Sequence, residues 1–319
     1  MKIGVIGAGR WGCTLAHLVQ TAGHKTIVFC LSSDIKRLNT HAVTDTRLSQ
    51  LLESIELTLD KDKLTGCQLI FVAVPGKNLV DCNTQWELQK IEVPIVMAIK
   101  ALYCGLGRDL VLPTDLLFRD YAYFACGAFP EGILNGSPAI GTVYCASRNL
   151  GEMVRDSLPI KLMRCYTSSD LKGGQIGAAL KNVIAIACGI AYGMGFDEMT
   201  LAALISRGAR EISRFACIRD AHAETFADGS SFLADLMGTA YSPHSHNRQA
   251  GILLASGVTR DQLEQSIGTV EGIHTVGALD ILQWPYSHLP ICKAVSEVLR
   301  GLPPKKAMEN LLNRPLKDA

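Results

Sequence analysis

Apolar positions divide the chain into two halves with different periods. Up to about residue 167, short and nearly continuous apolar runs recur at 2–6, 24–31, 69–74, 94–99, 121–126, 139–146 and 160–166. Their length and β-branched content predict strands, and runs apolar on both faces suit a parallel sheet covered on both sides. A helical pattern fills 11–21, with Gly23 placed to stop it. Strand, turn, helix and strand in that order form a βαβ unit. Residues 50–59 read as a short element leading into the sheet. Beyond about residue 170 the period becomes helical, at 176–191, 201–215, 249–255, 260–265, 273–282, 291–299 and 304–312. Arg207, Arg210 and Arg214 stand three and four apart on one face of the second of these helices. No strand is expected after residue 170.

The turn after the first strand, Gly7-Ala8-Gly9-Arg10-Trp11-Gly12, is a GxGxxG motif. Gly7 permits the tight turn, Gly9 lets the backbone approach a diphosphate, and Gly12 lets helix and strand pack closely. The diphosphate meets amide donors and the positive dipole end of the helix. The predicted architecture is an α/β N-terminal Rossmann domain with a mostly parallel sheet, residues 1–167, that binds a dinucleotide. An all-α C-terminal domain, residues 168–319, carries substrate and catalytic groups. At 319 residues the chain is long enough for two cores.

Selectivity between the two nicotinamide dinucleotides is read after the second strand, in Phe29-Cys30-Leu31-Ser32-Ser33-Asp34. An NAD site ordinarily has an acid at the strand end. None stands there, and Ser32, Ser33, Lys36 and Arg37 could meet a 2'-phosphate, which favours NADP. Asp34 meeting a ribose hydroxyl is the alternative, as is an ordinary wet surface at Lys36 and Arg37.

Charge and cysteine content narrow the class. Thirty-one basic against thirty acidic residues leave a formal charge of +1, without the basic excess of a nucleic-acid binder. Eleven cysteines, an odd number without a CxxC pair, suit free thiols in a reducing compartment and no metal site. The N-terminal segment reads as a strand, not a cleaved signal, and no apolar run reaches the ~20 residues of a membrane span. A cytoplasmic protein without membrane insertion is expected.

Three polar features stand in apolar surroundings. Lys100 ends the strand Val96-Met97-Ala98-Ile99, where ligand crevices form in such sheets. Lys181 and Asn182 interrupt the apolar helix at 176–191, where burial without partners is costly. Burial also favours the neutral amine, which can accept a proton, although the side chain could instead snorkel to water. Asp235, Thr239, Ser245, His246, Asn247 and Arg248 form the third group, with 241–248 read as a polar loop before a helix beginning near Gln249. Such residues could hold a phosphate, or Ser245 or Asn247 could simply cap the helix. No GxSxG elbow accompanies them, which argues against a serine hydrolase.

The chain resembles the soluble NAD(P)-dependent glycerol-3-phosphate dehydrogenase family over nearly its whole length. The resemblance rests on Gly7 to Ala16, on Gly174-Gln175-Ile176-Gly177-Ala178-Ala179-Leu180-Lys181-Asn182-Val183, on Ala202 to Gly208, and on Val270-Glu271-Gly272. It implies hydride transfer between NAD(P)H and dihydroxyacetone phosphate, giving sn-glycerol 3-phosphate for phospholipid synthesis, in a homodimer. It implies Lys181 as general acid and base. Lys100, Gly127, Asn182, Asp235, Thr239, Ser245, His246 and Asn247 would join it around the small phosphorylated substrate. It places Gly7, Gly9, Arg10, Trp11, Gly12, Ser32, Ser33, Lys100, Glu131, His246 and Glu271 at the cofactor.

The chain departs from the family pattern at several points. Phe129 stands in place of a serine, His246 in place of an arginine, and Ala101-Leu102 follow Lys100. His246 supplies a cation only when protonated. A dehydrogenase for another small hydroxy acid or polyol, and a non-catalytic NAD(P)-binding redox-sensing module, are the alternative readings.

Overall fold

The structure, a computed structural model, describes residues 1–32, 34–35, 51–117, 121–227 and 231–315. The chain groups into two compact units, one of Met1–Ile99 with Pro113–Leu171, the other of Lys100–Leu112 with the chain from Lys172 onward.

In the first unit, β1 (Lys2–Ile6) lies between β2 (Lys25–Phe29) and β4 (Leu69–Val72), parallel to both. β3 (Glu56–Thr58) extends the sheet beyond β2, so the element expected at 50–59 enters it as an edge strand. β5 (Ile95–Met97), β8 (Tyr121–Gly127), β9 (Ala139–Tyr144) and β10 (Met163–Ser168) continue the other side, giving the order β10–β9–β8–β5–β4–β1–β2–β3. The chain therefore reverses its direction of travel across the sheet at β1, where ligands gather in open α/β sheets. One pairing is antiparallel, β8 with β9, with Tyr123 opposite Tyr144. Its connection holds only a short helix, too little chain for the usual parallel crossover. The predicted start of the last strand moves from 160 to Met163, and Ile160 is exposed.

Helix α1 (Arg10–Thr21) follows the glycine turn and buries Cys13, Leu15, Ala16, Leu18 and Val19 against the sheet. The spacing is that of an amphipathic helix. The unit's other helices are α2 (Leu79–Trp86), α3 (Pro130–Leu134) and α4 (Arg148–Asp156).

The second unit is built around α5 (Leu171–Gly193). By length and composition this helix could cross a membrane, which exceeds the sequence expectation, yet 89% of its most apolar stretch is buried within the protein. It is the axle of a helical core. Around it run α6 (Glu198–Cys217), α7 (Phe232–Tyr241), α8 (His246–Ala255), α9 (Arg260–Ile267), α10 (Glu271–Leu282), α11 (Pro290–Leu299) and α12 (Pro304–Leu312). α5 and α8 touch backbone to backbone: a Cβ on Gly251 would stand 2.1 Å from the Ile186 carbonyl oxygen.

The segment Lys100–Leu112 belongs to this helical unit, an excursion that a single boundary at 167 does not express. It forms a ribbon of β6 (Tyr103–Cys104) and β7 (Leu110–Val111), and Leu102 and Leu112 are buried in the helical core. Burial of these two leucines ties the excursion to the second unit rather than the first.

Candidate functional site

In the helical unit, Lys181 projects from the middle of α5 and is 3% exposed. Its ammonium donates to Asp235 Oδ1 at 2.6 Å and to Thr239 Oγ1 at 2.5 Å. Asp235 and Thr239 lie one turn apart on α7 and so share a face. The Thr239 hydroxyl donates to the Asp235 carbonyl oxygen, which leaves its lone pairs for Lys181. The other Asp235 oxygen accepts from Lys100 Nζ at 2.8 Å. Lys100 is brought in by the ribbon segment and keeps 22% of its side chain exposed. Two ammonium groups thus share one carboxylate, a local charge of +1 when all three are ionised. The burial of Lys181 is compensated as such a group requires, by an ion pair and a hydroxyl.

A neutral chain of amides runs beside this cluster. Asn182 follows Lys181 on α5, and Asn247 Nδ2 donates to its Oδ1 at 3.1 Å. Asn247 Oδ1 in turn accepts from the Gly272 amide at 2.8 Å. A Cβ on Gly272 would stand 2.8 Å from Asn247 Oδ1 and 2.9 Å from the Asn182 carbonyl oxygen, so only glycine allows this approach. Glu271, the first residue of α10, is fixed next to it.

The segment expected as a loop through 248 is helical from His246, because Ser245 caps α8 by accepting from the Arg248 amide. His246 is exposed, and its Nδ1 donates to the Thr269 carbonyl oxygen at 3.2 Å. Arg248 turns elsewhere, with its guanidinium 4.2 Å above the Tyr192 ring.

The first unit carries the glycine turn. Gly7 has φ +108°, and a Cβ there would stand 2.7 Å from the Ala73 carbonyl oxygen. A Cβ on Gly12 would stand 1.8 Å from the Gly7 carbonyl oxygen, whereas nothing lies within 4 Å of the Cβ position of Gly9. The turn is closed where the backbone must pack and open above the start of α1. The first-turn amides there have no acceptor within the helix. That combination fits a dinucleotide diphosphate.

Arg10 donates to Glu131 Oε1 at 2.7 Å, which joins two of the residues expected near the cofactor. Trp11 stacks on Phe124 at 6.4 Å, so its indole packs towards the sheet. Ser32 is exposed, and Asp34 Oδ2 accepts from the Leu31 amide at 3.0 Å, closing its own turn. Ser33, Lys36 and Arg37 lie outside the described residues. Gly127 ends β8, and Phe129 precedes α3 at its N-cap.

The structure thus gathers Lys100, Lys181, Asp235 and Thr239 in one cluster, with Asn182, Asn247 and Gly272 in the adjoining chain. Two features escaped sequence reasoning. Gly272 stands in the Val270-Glu271-Gly272 segment, but its packing role is visible only once Asn247 lies against it. Tyr103 of the ribbon meets the His274 ring edge-on at 5.5 Å, and neither residue lies in a motif.

Residues 2–111 match the NAD-dependent glycerol-3-phosphate dehydrogenase N-terminus, and residues 170–309 match the C-terminus of the same family. The chain is 32% identical to a glycerol-3-phosphate dehydrogenase [NAD(P)+] of Caulobacter vibrioides, over 99% of this chain and 98% of that one. It is 34% identical to the enzyme of the same name from Rhodospirillum rubrum, over 99% and 93%. A solved glycerol-3-phosphate dehydrogenase of Coxiella burnetii superposes with a TM-score of 0.86 at 24% identity, covering 98% and 99% of the two chains.

Proposed function

The chain belongs to the NAD-dependent glycerol-3-phosphate dehydrogenase family, and from that premise we propose that Lys181, held by Asp235, is the proton-transfer group of its hydride-transfer site. The protein is an NAD(P)-dependent oxidoreductase of the glycerol 3-phosphate and dihydroxyacetone phosphate pair. The observation that carries the residue assignment is the buried Lys181–Asp235–Lys100 cluster. A lysine sealed in an apolar helix with a shared carboxylate has no structural need to be charged. An apolar side chain of similar volume is often at least as stable in such a place.

The bound nicotinamide supplies the hydride chemistry. The chain supplies position, charge and the proton. In oxidation Lys181 accepts the proton of the C2 hydroxyl, and in reduction it returns a proton to that oxygen. Asp235 orients the Lys181 amine and Thr239 fixes its direction. Lys100, the more exposed of the two lysines, stabilises negative charge on the reacting oxygen. Asn182 and Asn247 hold substrate hydroxyls, with Gly127, Ser245 and His246 towards the phosphate. Gly7, Gly9, Arg10, Trp11 and Gly12 hold the dinucleotide, joined by Ser32, Glu131 and Glu271. Lys100 and His246 serve both substrate and cofactor.

NADP(H) binds at least as well as NAD(H), since the β2 end offers no acid and Asp34 is engaged in its own turn. The protein works as a cytoplasmic homodimer, with a domain division near 167/168 apart from Lys100–Leu112, which groups with the helical unit. The oxidation of NADPH and NADH is followed with dihydroxyacetone phosphate, unphosphorylated dihydroxyacetone, and a panel of 2- and 3-keto acids. A strong preference for the phosphate ester is expected. Equal turnover of an unphosphorylated carbonyl would contradict the substrate assignment.

A further inference from the structure

The arginine stripe of α6 is not used by the site described above. Arg207, Arg210 and Arg214 line one wall of a cavity, and Arg314, just beyond α12, joins them. The cavity has a volume of about 540 Å³, within the range of small-molecule pockets. Among the described residues, Arg207, Arg210 and Arg314 make no ion pair. Arg214 feels the charge of Glu211, but both carboxylate oxygens of Glu211 are held by the Ile291 and Cys292 amides. Four guanidiniums around one concavity repel each other, and a phosphate meets their planar donor geometry.

The rest of the lining is aliphatic. Leu204, Ile291, Met308 and Leu311 wall this cavity and also a smaller apolar one of about 30 Å³ that adjoins it. No aromatic side chain lines the larger cavity among the described residues. A nucleotide base ordinarily binds by stacking on an aromatic ring, whereas an alkyl chain fits an aliphatic wall. We propose that the groove between α6, α11 and α12 binds a phosphate monoester carrying a single aliphatic chain, at a site separate from the catalytic one. The arginines hold the phosphate and the leucine-lined floor takes the chain.

The full-length protein is titrated calorimetrically with octyl phosphate below its micelle concentration, with glycerol 3-phosphate in excess to fill the catalytic site. Hexyl and butyl phosphate, octanol and adenosine monophosphate are run alongside. Affinity should rise severalfold with every two carbons added to the chain, since each buried methylene contributes favourably. Octanol and adenosine monophosphate should bind much more weakly than octyl phosphate. Arg210→Ala combined with Arg314→Ala changes two exposed positions outside the catalytic cluster. That variant should keep wild-type turnover and lose about tenfold or more in octyl phosphate affinity, as expected for charged hydrogen bonds. A flat chain-length series would overturn the proposal. So would tighter binding of adenosine monophosphate, or octyl phosphate affinity unchanged in the double variant.

Discussion

At the residue scale, two positions of the proposed site can be tested without touching a proton-transfer group. Gly272 is required by contact, because an added methyl would press on Asn247 Oδ1 and on the Asn182 carbonyl oxygen. Gly272→Ala should therefore cost about 1–3 kcal/mol of stability, as overpacking does. Because it displaces the Asn182–Asn247 chain, it should also raise KM for the phosphorylated substrate. Urea denaturation and steady-state kinetics measure the two effects, and an unperturbed variant would remove the amide chain from the account. His246, proposed here to face the substrate phosphate, is a cation only when protonated, and Arg248 is stacked on Tyr192. His246→Arg should thus raise kcat/KM for dihydroxyacetone phosphate at pH 8 and leave unphosphorylated dihydroxyacetone nearly unchanged. A gain on both substrates alike would show that position 246 does not read the phosphate.

At the element scale, Glu211 of α6 fastens the start of α11 by accepting from the Ile291 and Cys292 amides at 2.8 and 3.0 Å. Burial pushes its carboxyl up to about 7, and those amides only partly oppose the shift. The folded protein therefore holds this proton more tightly than the unfolded chain, whose carboxyl titrates near 4.5. Its stabilising contribution is complete below the unfolded value and is lost as pH rises towards 7. The melting temperature of Glu211→Gln should consequently fall less than that of wild type between pH 5 and pH 8. Identical pH profiles would refute the linkage.

Elements also show what the sequence could and could not reveal. Strand β1, the glycine turn and α1 were legible because each local preference agrees with the fold. The axle helix was legible from its apolar run, with Lys181 conspicuous inside it. The ribbon at 103–111 was not legible, since two-residue strands around Gly105 and Gly107 leave no period to read. Helix α7 was hidden because Asp235 and Thr239, polar and buried, break its apolar pattern. The pairing of Lys100 with Asp235 joins residues 135 apart, and spacing says nothing about it.

At the scale of the whole molecule, the excursion of Lys100–Leu112 has consequences for dissection. A fragment of residues 168–319 lacks Leu102 and Leu112, both buried in the helical core. It should show helical circular dichroism without strand, but bind a hydrophobic dye and melt with poor cooperativity. A peptide of residues 98–114 should restore cooperativity, and a fragment that already melts sharply would show the ribbon to be dispensable. Lys181 is proposed to move the proton while other residues hold the dinucleotide. The most direct test of this role is a single-turnover measurement of Lys181→Ala and Lys181→Met with NADPH and dihydroxyacetone phosphate, alongside calorimetric NADPH titration and melting curves. Both variants should lose about 10²–10⁴-fold in the chemical step, in folded protein whose NADPH affinity stays within about threefold of wild type. A folded Lys181 variant that turns over within about threefold of wild type would contradict that role.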